Sequence, residues 1–378
     1  MKKKLSSFSI ILAAIILFGA CGFGENESDH KLNRDSRREE AKDEGDRDSV
    51  ERASDDWTEG WLGDSGQEES SSKDDHAFDL FSSIDLTAYE ASGTCGKNLI
   101  WYLQDGVLVI RGTGEINDYG FGRGNSPWYE MKDSIQEVVI ERGCTQIGIQ
   151  AFASCSNLVS VTLPDTVTTI GRWAFENCKS LSSITIPGSV TTIEGSVFLN
   201  CQGLTNITLS DGLVAIGEAA FQNCKNLSDI SLPSTVTTIE RFAFAYCESL
   251  TDIFIPDGIT TITECSFYDC KKLSNIIIPS GVTVIEKSAF ALCKDLTYIT
   301  IPDSVTTIGE EAFYNCDGLT EVTVPASVVS IGCNAFASCN NLKYVWIFES
   351  TDISAGILGT GYLGSNNAQV IVNDRYDY

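Results

Sequence analysis

Histidine is nearly absent from this chain of 378 residues, which contains only His30 and His76. Histidine is the usual general base at neutral pH and the commonest metal ligand. The long C-terminal part therefore lacks the charge relays and metal sites of most hydrolases. Glycosidase-type carboxylate pairs stay open because Asp and Glu abound, although such residues usually form a solvated face. We expect no enzyme, no metal site and no cofactor.

Long apolar runs are also scarce. One run, from Phe8 to Ala20, follows the basic residues Lys2, Lys3 and Lys4. A membrane-spanning helix needs roughly 20 apolar residues, so this run is too short to cross a bilayer. The arrangement predicts a signal peptide over residues 1–20.

The end of this run, Leu17-Phe18-Gly19-Ala20-Cys21, resembles the lipobox of bacterial lipoproteins. The resemblance implies cleavage before Cys21, a diacylglycerol group on its sulfur, and contact with the membrane through this lipid anchor only. Phe18 departs from the aliphatic residue that the lipobox prefers at its place. Ordinary cleavage followed by secretion is the alternative, but that also disfavours a large residue there.

Apolar residues are few in residues 21–78, and basic residues are in the minority throughout. Between Glu25 and Asp79 there are 20 acidic and 8 basic residues, which predicts that the lipidated cysteine is followed by a disordered acidic tether. The whole chain has a formal net charge of -26 at pH 7. This charge repels phosphates and excludes nucleic acid as a partner.

A period of 23 residues governs the rest of the chain, without insertion or deletion. Nine cysteines recur at this interval: Cys155, Cys178, Cys201, Cys224, Cys247, Cys270, Cys293, Cys316 and Cys339. A phenylalanine precedes each of them by three residues: Phe152, Phe175, Phe198, Phe221, Phe244, Phe267, Phe290, Phe313 and Phe336. Such a period predicts stacked structural units.

Each unit combines a short strand with a return limb. A representative unit reads Leu158-x-x-Val161-x-Leu163-Pro164-x-x-Val167-x-x-Ile170-Gly171-x-x-Ala174-Phe175-x-x-Cys178. Ten parallel strands, about 4.8 Å apart, would form a stack roughly 43 Å long over residues 135–347, as nine repeats and a final strand. The glycines after Ile170, Ile216 and Ile308 are expected to supply a positive φ.

The flanks predict caps, which the exposed ends of a solenoid require. Residues 79–134 form the expected N-terminal cap, in which two strand-like runs around Asp105-Gly106 predict a β-hairpin over 99–110. Residues 348–378 form the expected C-terminal cap, with a short strand over 369–372.

The repeat resembles a known family. Its I-P, V-T-T-I-G, A-F and C-x-x-L elements, with the leader Ser92-Gly93-Thr94-Cys95-Gly96, Gly112-Thr113-Gly114 and Pro127-Trp128-Tyr129, are similar to the BspA-type leucine-rich repeats of bacterial surface proteins. The resemblance covers about residues 90 to 348. It implies a leucine-rich-repeat solenoid used as a surface adhesin or interaction module, and it carries over no binding residue.

The cysteine period favours a buried column of free thiols. Equivalent side chains in adjacent coils point the same way, which is unsuited both to disulfides and to converging metal ligands. Cys144 occupies a core valine position. Cys95, Cys265 and Cys333 lie off the column, and we expect them to be the exposed cysteines that form any bridge.

The outward positions of the strands become apolar toward the C-terminal half. Five residues there form a candidate binding patch among acidic neighbours: Phe254, Ile277, Tyr298, Tyr344 and Trp346. Two alternatives remain: that Thr and aromatic residues merely suit strands, or that the C-terminal tail covers Tyr344 and Trp346.

These observations predict a lipid-anchored protein-binding module at the bacterial cell surface, an adhesin or interaction scaffold. Its partner would be an extracellular protein, from host matrix or another cell surface. A glycan-binding module and a structural spacer without ligand are the alternatives.

Overall fold

A computed structural model describes residues 85–120, 122, 124–348 and 368–373. The predicted signal peptide, Cys21 and the acidic tether lie outside these residues. In the described ranges the chain forms twenty-two β-strands and two short 3-10 helices. None of the helices in those ranges is long and apolar enough to cross a membrane.

The N-terminal cap contains the predicted hairpin. It consists of η1 (Leu86–Ala88), β1 (Ala91–Gly96), β2 (Asn98–Gln104), β3 (Val107–Glu115) and η2 (Tyr129–Met131). Strands β2 and β3 are antiparallel, and both Asp105 and Gly106 in the turn between them have positive φ, as the tight Asp-Gly hairpin turn requires. Strand β1 pairs with the other edge of β2.

The repeats form a first strand column that continues the cap. Its strands are β4 (Glu137–Ile140), β6 (Ser160–Thr162), β8 (Ser183–Ile186), β10 (Asn206–Leu209), β12 (Asp229–Ile230), β14 (Asp252–Phe254), β16 (Asn275–Ile277), β19 (Glu321–Val324) and β21 (Tyr344–Phe348). Strand β3 pairs with β4, and paired strands of successive coils are parallel, with partners 23 residues apart, such as Ile184 and Ile207. The predicted solenoid is therefore confirmed.

One predicted strand of this column is reduced to a bridge. Thr300 pairs with Ile277 on one side and with Thr323 on the other, without a longer ladder. At the far end, β22 (Gln369–Asn373) pairs in parallel with β21, so a strand at the predicted place extends the column by one position.

A second strand column, which the sequence pattern did not predict, runs along the return limb. Its members are β5 (Cys144–Ile147), β7 (Thr169–Ile170), β9 (Thr192–Ile193), β11 (Ala215–Ile216), β13 (Thr238–Ile239), β15 (Thr261–Ile262), β17 (Val284–Ile285), β18 (Thr307–Ile308) and β20 (Ser330–Ile331). Most are two residues long, too short for alternation to reveal them.

The core contains a continuous ladder of phenylalanine rings. All nine periodic phenylalanines are buried, and successive rings stack with centroids 5.2 to 5.7 Å apart and nearly parallel planes. Trp128 of the cap stacks on Phe152 at 5.3 Å, and its indole Nε1 donates a hydrogen bond to the Ala151 carbonyl. The cap thus covers the first phenylalanine with a ring of its own.

The prediction that the periodic glycines supply a positive φ was wrong. Gly171, Gly217 and Gly309 do not have positive φ. They lie where adjacent coils approach closely: a Cβ on Gly309 would be 2.5 Å from the Glu286 backbone carbon. The left-handed residues are instead two non-glycine positions in each coil, represented by Trp173 and Asn177.

Leu292→Asn is expected to stabilise the protein by about 0.5 to 1 kcal/mol, because Asn tolerates left-handed backbone better than Leu. Leu292 has φ 66°, at the position where Asn177, Asn200, Asn223 and Asn315 stand in other coils. The midpoint of urea unfolding measures the change. Leu199→Asn, at a position without positive φ, is the matched control and should bring no gain. A lower midpoint for Leu292→Asn would refute the argument.

Candidate binding face

The first strand column exposes two parallel stripes of side chains, because successive residues of a strand point to opposite faces. We call the first the Thr162 stripe: Val139, Thr162, Thr185, Thr208, Ser231, Phe254, Ile277, Thr300, Thr323 and Trp346. The second, the Ser160 stripe, lies two residues earlier in each coil: Ser160, Ser183, Asn206, Asp229, Asp252, Asn275, Tyr298, Glu321 and Tyr344.

Three of the predicted patch residues lie together on successive coils. Phe254, Ile277 and Tyr298 are 59%, 69% and 60% exposed, although each is a large apolar or aromatic side chain. Phe254 and Ile277 are register partners in β14 and β16. Thr300, the next partner of Ile277, donates its hydroxyl to the Tyr298 Oη at 3.2 Å. We call these three residues the apolar triad.

The other two predicted residues form a separate group, the terminal pair. Tyr344 and Trp346 have ring centroids 6.0 Å apart. Glu321 and Thr323 are their register partners, so one polar coil, and about 10 Å in two coil steps, separates Tyr344 from the coil of Tyr298.

The C-terminal strand β22 pairs alongside this group on its other side. Tyr344 remains 40% exposed and Trp346 is half-buried. The sequence pattern predicted one patch of five residues because it did not take into account the polar coil that separates the two groups.

The carboxylates beside the triad have no basic partner. Asp229, Asp252 and Glu321 are exposed on the Ser160 stripe, and no ion pair involves them in the described part of the chain. Other carboxylates pair with cations of adjacent coils: the Glu248 carboxylate oxygens lie 2.8 Å from Nζ of Lys225 and 2.8 Å from Nζ of Lys271. The outward positions of the first strand column contain no Lys or Arg from residue 137 to 346. The face is anionic and apolar.

Sequence reasoning did not single out these carboxylates as site residues. Their place in the Ser160 stripe, two residues before the apolar positions, was the available signal. The sequence pattern does not show which carboxylates form ion pairs, because that depends on which side chains of adjacent coils are in contact.

The nine periodic cysteines form a buried column that offers no reactive site. Each is at most 1% exposed, and each thiol from Cys178 onward donates to the carbonyl of a phenylalanine 26 residues earlier, as Cys247 does to Phe221. Burial raises the pKa of Cys155 and of Cys247 to about 12. Among the described residues, no group of three His, Cys, Asp or Glu side chains could hold a metal ion.

The expected exposure of the off-column cysteines was wrong for two of them. Cys95, in strand β1 of the N-terminal cap, is fully buried, and Tyr119 donates its hydroxyl to the Cys95 carbonyl. Cys265 is 4% exposed and is therefore buried. Cys333 is exposed, and it and Cys95 are free thiols, so neither is in a bridge. Cys144 is buried, as its valine position indicated.

Comparison with known proteins identifies the repeat. Residues 125–248 and 237–356 match, in six copies, the family described as BspA type Leucine rich repeat region. The chain matches no curated protein.

The chain is also similar to several solved structures. A leucine-rich repeat protein from Eubacterium ventriosum is 31% identical, with 69% of this chain and 73% of that chain covered and a TM-score of 0.50. A leucine rich cell surface protein from Faecalibacterium prausnitzii is 22% identical, over 76% and 96%, with a TM-score of 0.42. The pneumococcal vaccine antigen PcpA is 18% identical, over 68% and 82%, with a TM-score of 0.43.

Proposed function

The chain belongs to the BspA-type leucine-rich-repeat family, and from that premise we propose that it is a cell-surface protein-binding module whose site is the exposed face of the first strand column. Proteins of this family are surface antigens or adhesin-like repeat proteins. The solenoid is a typical non-enzymatic binding scaffold. Both of the chain's histidines lie outside the described residues, so the coils contribute none to a catalytic site.

The observation that carries this proposal is the exposure of the apolar triad. Phe254, Ile277 and Tyr298 are exposed to solvent, while the equivalent positions in earlier coils are Thr, Ser, Asn, Asp or Glu, apart from Val139. A contiguous apolar patch with a polar rim is what marks protein interaction sites on soluble domains. Aromatic side chains at such centres contribute most of the binding energy when a partner excludes water from them.

Replacing the triad with alanine is expected to weaken binding by at least roughly thirtyfold, since the loss of a single central anchor costs about 2 kcal/mol or more. The full chain and the Phe254→Ala, Ile277→Ala, Tyr298→Ala variant would be titrated against a panel of extracellular-matrix proteins and cell-surface proteins. The matched control replaces Thr162, Thr185 and Thr208 on the same stripe. Equal binding by both variants and the wild type would reject the face as the site.

A glycan is the second candidate ligand. The rings of Tyr344 and Trp346 are tilted by 38° relative to each other, and Glu321 of the preceding coil is the register partner of Tyr344. This arrangement favours a glycan because sugars stack on aromatic faces and hydrogen-bond to carboxylates. If the ligand is a glycan bound at the terminal pair, soluble glycans should displace it. If the ligand is a protein bound at the triad, soluble glycans should leave binding unchanged.

The surface location is proposed to depend on a lipid at Cys21. Cys21→Ala is expected to abolish incorporation of labelled fatty acid and to shift the protein from the membrane fraction to the soluble fraction. The basis is the signal-like N-terminus that ends in Leu17-Phe18-Gly19-Ala20-Cys21. Cys333→Ala, which alters an exposed cysteine in the coils, is the control. Unchanged labelling of the Cys21 variant would favour secretion after ordinary cleavage.

A further inference from the structure

Two carboxylates beside the apolar triad lie at facing positions on neighbouring strands. Asp229 and Asp252 are register partners in the parallel strands β12 and β14, which places their backbones about 4.8 Å apart. Like charges directly opposite on neighbouring strands destabilise a sheet. The chain retains this pair on an exposed face where no lysine or arginine occupies an outward position.

Elsewhere in the solenoid, several carboxylates face a cation of an adjacent coil. Glu248 lies between Lys225 and Lys271, Glu218 pairs with Arg241, and Glu310 pairs with Lys287. Asp229 and Asp252, by contrast, are acidic register partners with no ion pair among the described residues, on the face that also exposes the triad. Bringing a cation to this pair would offset its two like charges.

The carboxylates also flank the triad at both ends. Along the Ser160 stripe the order is Asp229, Asp252, Asn275, Tyr298 and Glu321, so Asp252 and Glu321 are separated by three coil steps, or about 14 Å. Phe254 projects from the same strand as Asp252, two residues later. A guanidinium group pairs with a carboxylate and at the same time stacks on an aromatic ring.

We propose that the binding face takes a cationic protein segment, whose arginine or lysine side chains contact Asp229, Asp252 and the ring of Phe254 while an apolar residue covers Ile277. This rests on the proposed function and names the chemistry of its partner. The strongly negative net charge of the chain would steer such a segment toward the protein, and the unpaired carboxylates would fix where it docks.

The test is a titration of the full chain with a short labelled peptide of alternating arginine and glycine, followed by fluorescence anisotropy. The comparison peptide replaces arginine with citrulline, which keeps the shape and removes the charge. Three variants are measured: Asp229→Asn with Asp252→Asn, Phe254→Ala, and the control Asp211→Asn with Asp303→Asn. The control changes the net charge equally, at exposed residues in the turns.

We expect the arginine peptide to bind, the citrulline peptide not to bind, and the Asp229, Asp252 variant to lose about tenfold in affinity. Phe254→Ala should lose about threefold, and the control pair less than twofold. Equal losses in both aspartate pairs would overturn the proposal, because they would reflect net charge alone. A third outcome separates this proposal from the proposed function. If a protein from the panel binds through the triad, and the Asp229, Asp252 variant binds both that protein and the arginine peptide as tightly as the wild type does, the cationic partner is refuted while the proposed face stands.

Discussion

Raising the pH from about 8 to about 11 is expected to unfold the solenoid, because its buried thiols must remain protonated. Burial raises the pKa of eight column cysteines, from Cys155 to Cys316, above the ordinary range, and the pKa values of Cys155 and Cys247 are raised to about 12. In the unfolded chain a thiol has a pKa of about 8.5.

The sign of the effect follows from proton binding. Above about pH 8.5 the unfolded chain loses thiol protons that the native chain keeps, so the free energy of unfolding falls as pH rises. Each thiol contributes about 1.4 kcal/mol per pH unit until its native pKa is reached, and eight of them contribute on the order of 10 kcal/mol per unit. Since whole domains are stable by only about 5 to 15 kcal/mol, the native state should be lost within this range.

Unfolding by urea at a series of pH values measures this dependence. The Cys224→Ala, Cys247→Ala double variant should be less stable at neutral pH. Above about pH 8.5 its free energy of unfolding should fall less steeply with pH, by the contribution of two thiol protons. Cys333→Ala, which changes an exposed cysteine outside the buried column, is the control. An unchanged slope in the double variant would show that the column thiols are not what titrates.

Phe244→Ala is expected to cost about 3 to 5 kcal/mol of unfolding free energy, the range for removal of a fully buried ring from a core that cannot collapse. The ring of Phe244 lies between those of Phe221 and Phe267, at 5.4 and 5.6 Å. The substitution therefore opens a cavity and also interrupts the interface between coils on which solenoid stability depends. Urea unfolding followed by circular dichroism gives the change.

Phe254→Ala is the matched control, with the same substitution ten residues later on the exposed face. Phe254 is 59% exposed, so its loss should change stability by no more than about 0.5 kcal/mol. A similar loss of unfolding free energy in the two variants would contradict the claim that the buried phenylalanine ladder stabilises the fold while the exposed residues of the face do not.

The sequence predicted the elements that repeat with large side chains. Phe152, Cys155 and Leu158 recur at one fixed interval, and only stacking can bury such a set, so the ladder, the cysteine column and the first strand column follow from the period. The Asp105-Gly106 turn predicted the hairpin because few other dipeptides adopt two positive φ values.

Other features depend on contacts that the period does not specify. The role of Gly309 comes from the backbone of the preceding coil, and the 23-residue period does not show that Cys265, which lies off the cysteine column, is buried. The division of the candidate site into a triad and a terminal pair depends on Glu321, whose coil lies between them. A pattern of outward residues shows which side chains share a face, but not which of them are contiguous.

Oxidative footprinting of the full chain, with and without a saturating protein partner, tests the binding face most directly. The proposed site predicts that Phe254 and Tyr298 become protected from hydroxyl radicals on binding, while Tyr129, 37% exposed in the N-terminal cap, keeps its rate of oxidation. Protection of Tyr129 together with unchanged rates at Phe254 and Tyr298 would contradict it and would move the binding site from the strand face to the cap.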